Sequence, residues 1–138
     1  MTADLKYHLT MFYEEERLKT FKKWIFKDDE VCNAAKMAEA GFYFIGQKDE
    51  PDVVKCFLCN KTLDGWEAQD DPWDEHYKHS KNCTFASMKQ PEFALTLDQF
   101  LKIRFEQYTQ YLKLWNNNLN KHREEELQEL RKVIDGLL

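Results

Sequence analysis

Proline and glycine are scarce in this chain, with three and four copies among 138 residues. The prolines follow Glu50, Asp71 and Gln90, so no Ser-Pro or Thr-Pro site exists for a proline-directed kinase. Neither residue interrupts 97–135, which leaves room for one helix roughly 58 Å long at 1.5 Å per residue. Long apolar runs are lacking too. The opening stretch, MTADLKYHLTMFYEEE, has no run of signal-peptide length, and no later stretch approaches the roughly 20 apolar residues of a membrane span. The expectation is an intracellular protein. Basic charge is also short: residues 1–96 hold 13 basic and 18 acidic side chains, and residues 97–138 hold 7 of each. That balance argues against a nucleic-acid finger, which must neutralise phosphates, and favours a cationic ligand such as an amine or a basic tail.

What the chain has is aromatic residues, 14% of the total, enough for one modest core despite its polarity. It also has a cysteine pattern. Two residues separate Cys56 from Cys59, and a histidine after sixteen more and Cys83 complete the set. Three thiolates and one imidazole satisfy zinc tetrahedrally and leave no coordination position open. A zinc hydrolase, which needs such a position for water, is therefore disfavoured. His76 and His79 lie three apart on one helical face, so spacing leaves open which of them is the ligand. Cys32 is left over and reads as a small buried hydrophobe or a free thiol.

The local pattern is α+β. Residues 1–13 form an arm without clear period. Residues 14–24 place Leu18, Phe21 and Trp24 at helical spacing, with Arg17 on the solvated side. A second short helix ends at Gly41, the usual residue for a positive φ. Three antiparallel strands follow: 42–45, 53–58 and about 62–66, with Cys56 and Cys59 at the knuckle between the last two. Asp71 reads as the N-cap of another helix, with Pro72 first and Asp74 reaching back. The segment TFASMKQPEFA reads as a link. Thr96 and Gln99 form a capping box, with Leu95 and Phe100 as a hydrophobic staple, and open the long helix. Along it Leu101, Phe105, Tyr108, Leu112, Trp115 and Leu119 make a heptad seam that resumes, after a stutter, at Leu127, Leu130, Ile134 and Leu137. Such a stripe calls for other helices, and its bulky aromatics suit a bundle better than a two-stranded coil.

Together, Arg17, Thr20, Phe21 and Trp24, the run Met37 to Phe42, and the C-x2-C-x16-H-x6-C pattern around Gly65-Trp66 resemble the baculoviral inhibitor-of-apoptosis repeat (BIR). The resemblance implies a small zinc-binding BIR domain over 14–88, with short helices around a three-stranded antiparallel sheet. A linker over 89–96 and an extended helix over 97–138 would follow. It selects Cys56, Cys59, His76 and Cys83 as ligands of one structural Zn2+, and it makes Arg17 a packed residue rather than a surface one. It also implies a non-enzymatic module that binds a partner's free N-terminus. An extended peptide would add to the edge of the third strand between Lys61 and Gly65, placing its first residue beside Leu63 and Trp66. Asp64, Asp70 and Glu75 would accept from its α-ammonium group.

In members with one repeat followed directly by a long helix, the resemblance implies a reader of the histone tail Ala-Arg-phosphoThr, with Lys61 and His79 near the phosphate. It further implies a helical bundle with the inner centromere protein and borealin in the chromosomal passenger complex, bringing an Aurora-type kinase to centromeres. The implied location is nucleus and cytoplasm, moving to centromere and spindle midzone in mitosis. A homodimer through Leu5, Leu9, Phe12, Phe93, Leu97 and Phe100 is implied as well. The alternative is a module that binds Ala-initiated apoptotic peptides or regulates caspases. The chain departs from the pattern in lacking Ser-Pro and Thr-Pro, and in the run Asn116 to Asn118.

Overall fold

The first helix, α1 (Ala3–Thr10), is held by residues far along the chain. The structure, a computed structural model, describes residues 3–137; Met1, Thr2 and Leu138, the ends of the expected arm and helix, lie outside them. The arm is thus not the aperiodic segment expected. Leu9, Met11 and Phe12 are all buried. The orphan carbonyls at the end of α1 find donors on the long helix: Gln107 Nε2 donates to His8 O at 2.7 Å and Arg104 to Leu9 O at 2.9 Å.

Arg17 anchors the next segment. It lies on α2 (Glu14–Leu18), is fully buried, and donates from Nε to Ala38 O at 2.9 Å and from its terminal nitrogen to Met11 O and Phe12 O. Its guanidinium stacks 4.7 Å from the Phe57 ring. Burial pushes it down to about 10, with Glu92 opposing. The packed role implied by resemblance is therefore the observed one, and the solvated reading is corrected. The helix expected over 14–24 stops at Leu18. Thr20 Oγ1 donates to Arg17 O at 2.6 Å and accepts from Phe44 N at 2.8 Å, diverting the chain into turns that still bury Phe21.

The second helix of the domain proper, α3 (Ala34–Glu39), is capped by Asn33, which accepts from Lys36 N. At its end Gly41 has φ +96°, and an added Cβ would lie 2.9 Å from the Phe85 ring. The antiparallel sheet has the order β1 (Phe42–Phe44), β2 (Val54–Cys56), β3 (Thr62–Leu63). The strands are shorter than expected; Trp66 lies beyond β3. Pairing sets Phe42 opposite Cys56 and Tyr43 opposite Lys55, so the first pair faces the core and the second the other side.

In α4 (Pro72–His79) Asp71 caps Trp73 N and Asp74 N. Asp74 does not reach back; its carboxylate accepts from Lys89 at 2.6 Å. The expected link contains α5 (Thr84–Met88), because Phe85 packs against Phe57 and Trp73 and Ala86 is buried as well. A 3₁₀ turn (Glu92–Ala94) leads to α6 (Leu97–Leu137), whose 41 residues span about 61 Å. Its capping box forms in both directions: Thr96 N donates to Gln99 Oε1 at 2.9 Å and Gln99 N to Thr96 Oγ1 at 3.2 Å.

Two stripes run along α6. Phe100, Ile103 and Gln107 face the domain, with Ile103 and Gln107 fully buried and Phe100 edge-on to Phe12 at 5.0 Å. The seam from Leu101 to Leu119, and again from Leu127 to Leu137, stays exposed. Leu9 and Phe12 belong to this chain's own core, so they are corrected as candidates for a dimer surface. Phe93 and Leu97, exposed at 88% and 74%, remain available to a second copy, whereas Leu5 and Phe100 are half-buried.

Candidate functional site

Cys56 ends β2, Cys59 follows the tight turn after it, His76 projects from α4 and Cys83 precedes α5. Their ligand atoms all lie within 4.8 Å of one another. The Cys56 and Cys83 sulfurs are 4.0 Å apart, and Cys59 Sγ is 3.7 Å from His76 Nε2. A tetrahedral zinc with bonds of about 2.3 Å to sulfur needs edges of about 3.8 Å, so the donor set fits a zinc-sized ion. His76 Nδ1 meets Ala40 O at 2.7 Å, which turns Nε2 to the cluster. Leu58 N donates to Cys56 Sγ at 3.3 Å. Burial and the neighbouring sulfurs hold the Cys56 thiol well above its ordinary value, while hydrogen bonds from Cys56 and Cys83 hold Cys59 below its own. His79 is outside the cluster; its Nε2 lies 3.2 Å from Glu75 Oε2. Cys32 is fully buried, with its sulfur 3.7 Å from Met37 Sδ, and burial pushes its thiol up to about 12.

Beside the cluster is a cleft of about 290 Å3, lined by Lys61, Leu63, Asp64, Trp66, Asp70, Glu75 and His79 among others. Every residue proposed from the sequence for the peptide N-terminus or the phosphate borders it. One wall is β3, an edge strand with a single neighbour, β2. Trp66 is mostly buried against Phe42, with ring centroids 5.5 Å apart, so only a small part of the indole faces the cleft. Its Nε1 is buried without a hydrogen-bond partner among the described residues.

The carboxylates differ in what already occupies them. Glu75 is met by His79 and, at 3.3 Å, by Lys78. Asp70 accepts from Glu67 N at 2.8 Å and holds the loop before α4. Asp64 makes no hydrogen bond or ion pair through its side chain among the described residues. Asp52 is a residue that sequence reasoning missed: its Oδ2 accepts from both Gly65 N at 2.8 Å and Trp66 N at 3.0 Å, fixing the floor of the cleft. Its position in a polar turn carried no signal, because the partners are thirteen and fourteen residues away. Gly65, at φ +72°, makes the bend that turns those two amides toward it.

Comparison with known proteins adds four findings. Residues 17–87 match the family described as Inhibitor of Apoptosis domain, BIR. Baculoviral IAP repeat-containing protein 5 of Rattus norvegicus is 39% identical over 127 residues, covering 92% of this chain and 89% of the rat protein. Baculoviral IAP repeat-containing protein 5.2-A of Xenopus laevis is 50% identical over 90 residues, 65% of this chain, which spans 57% of the frog protein's length. Among solved structures, DIAP1 BIR1 bound to a Grim peptide is 37% identical, covers 54% of this chain and 71% of that chain, and has a TM-score of 0.46. No helix among the described residues is long and apolar enough to cross a membrane.

Proposed function

Because this chain belongs to the inhibitor-of-apoptosis (BIR) family and is similar along most of its length to Baculoviral IAP repeat-containing protein 5, a survivin, we propose that it is a non-enzymatic peptide reader and scaffold. Zn2+ on Cys56, Cys59, His76 and Cys83 would fasten the sheet to α4 and α5, supplying structure rather than catalysis, since four protein ligands leave no position for a substrate. The reading itself is done in the cleft. The observation that carries this reading is a single cleft along an edge strand, bordered both by the carboxylates of Asp64, Asp70 and Glu75 and by Lys61 and His79.

An extended peptide adds to β3 through main-chain hydrogen bonds, and its first residue lies beside Trp66. Asp64 and Asp70 accept from the α-ammonium group, where a free amine finds both charge and acceptors. Lys61 and His79 then face the third or fourth residue, which suits a phosphothreonine in a tail beginning Ala-Arg-phosphoThr. For His79 to serve, it must leave Glu75. The exposed seam of α6 supports a bundle with helices of the inner centromere protein and borealin, and through them a place for an Aurora-type kinase at centromere and midzone. Outside mitosis the protein would be shared between nucleus and cytoplasm.

A titration by calorimetry with Ala-Arg-Thr-Lys and its phosphorylated form tests the reader. Preference for the phosphorylated peptide, reduced by Lys61→Ala and His79→Ala, is expected. Acetylating the peptide amine, or replacing Asp70 by Asn, should weaken both forms. Equal binding of the two forms, with strong binding of Ala-initiated apoptotic peptides, would instead support an apoptotic-peptide module. Binding that ignores the free amine would overturn both readings.

A further inference from the structure

A second and larger cleft, about 650 Å3, lies on the opposite face of the sheet, where α6 leaves the domain. Its floor follows from strand register. Tyr43 and Lys55 are cross-strand partners facing away from the zinc cluster, and α1 covers one side of them, with the Tyr7 ring edge-on to Tyr43 at 6.1 Å. The other wall is α6, where Tyr111 and Trp115 lie tilted with ring centroids 6.4 Å apart. Four aromatic rings therefore border one cavity of the size that takes a small molecule.

Its charge is unusual for so aromatic a place. Lys55 is half-buried on the central strand, and its ammonium has no hydrogen-bond or ion-pair partner among the described residues. Asp4 is exposed at the rim on α1 and forms no ion pair with it. His8 also borders the cleft, and burial lowers its imidazole, so it adds no positive charge at neutral pH. An ammonium group with no partner, set beside aromatic rings, has its donors free for an anion that enters the cleft. Lysine is a compact point charge with three rotatable donors, which a single carboxylate can satisfy.

We propose that this cleft binds a low-molecular-mass aromatic carboxylate, its ring between Tyr7, Tyr111 and Trp115 and its carboxylate on Lys55. The site is separate from the peptide cleft and does not depend on what that cleft reads. Trp115 also belongs to the seam, so a ligand here would touch the foot of any helix packed on α6.

The test uses the full zinc-loaded chain and two probes of nearly the same shape, 2-naphthoate and its uncharged amide, followed by amide and side-chain NMR shifts. Saturable shifts at Tyr7, Tyr43, Lys55 and Trp115, with the acid bound about tenfold more tightly than the amide, are expected, as a charge-assisted contact provides. Lys55→Gln should erase that preference and leave amide binding in place, Asp4→Asn should strengthen acid binding, and Trp115→Ala should weaken both. Asp4 and Trp115 are exposed and Lys55 is half-buried, and a dispersed spectrum reports that the variants fold. Equal affinity for acid and amide, an unchanged preference in Lys55→Gln, or shifts confined to Phe93, Leu97, Leu101 and Phe105 would overturn the proposal.

Discussion

The two halves of α6 share a sequence style and meet opposite fates. From Leu97 to Tyr111 the helix uses one stripe, Phe100, Ile103 and Gln107, to pack on the domain while a second stripe faces outward. From Leu112 onward no described residue is buried, although Leu112, Trp115, Leu119, Leu127, Leu130 and Ile134 keep an apolar period. The difference is not propensity. The first half has side chains that complete another element, since Gln107 and Arg104 cap α1, whereas the second half keeps its apolar face exposed. An amphipathic pattern says that a face will be covered, but does not say by which chain.

The strongest way to break this contrast is to remove the ground on which the first half rests. Chelating the metal, or replacing Cys83 by Ser, should abolish the cooperative thermal transition and near-ultraviolet dichroism, because structural zinc supplies on the order of 10 kcal/mol to small domains. Both halves of α6 would then be unsupported, and hydrogen exchange should become fast along all of it. A domain that melts cooperatively without metal would refute the fastening role.

Smaller in effect, Gln107→Ala leaves the His8 carbonyl without its donor and opens a gap in the core. A loss of about 2 kcal/mol is expected in denaturant titrations. Exchange should rise in α1 while the peptide cleft is unaffected. Undiminished protection of α1 would show that the cap is incidental.

His8 gives a pH-dependent version of the same test. Burial lowers its imidazole below the ordinary 6.5, with Lys55 and Arg104 adding to the shift and the hydrogen bond with Gln107 opposing it. The unfolded chain therefore binds the proton more readily. This contribution is complete above about pH 6.5 and is lost as pH falls through the folded value. His8→Gln should flatten the difference in stability between pH 7 and pH 5 relative to the native chain. Parallel curves would assign the acid sensitivity to other groups.

At the weak end, Leu127→Glu with Leu130→Glu should change the stability of the isolated chain by less than about 0.5 kcal/mol, since both side chains are exposed. On the proposed scaffold reading, the same pair should abolish co-purification with the helices of the inner centromere protein and borealin. If stability falls sharply instead, the distal half has a partner within this chain or a second copy.

The sequence showed most clearly those features whose partners are near in the chain or whose chemistry is strict. The C-x2-C-x16-H-x6-C spacing, the Thr96–Gln99 box and Gly41 were readable because ligand geometry, capping and positive φ each demand particular residues at particular intervals. Features made by distant partners were hidden. Periodicity could not reveal α1, because its end is completed from Arg104 and Gln107, nearly a hundred residues later. Thr20 cut short the helix expected to Trp24 by bonding to Phe44, and Leu9 and Phe12 entered the core instead of a dimer surface for the same long-range reason. Asp52 had no local signature at all.

The brevity of β3 has a consequence for solubility. A free sheet edge invites any exposed strand, including the same edge of another molecule, and runs of such pairing lead to aggregation. Here the edge is two residues long, flanked by the charges of Lys61 and Asp64 and ended by the left-handed bend at Gly65. On the proposed reading, a tail of three or four residues adds to it and gains the few main-chain bonds it offers. A longer strand gains no more from the same edge, so the protein can keep an open template without polymerising on it.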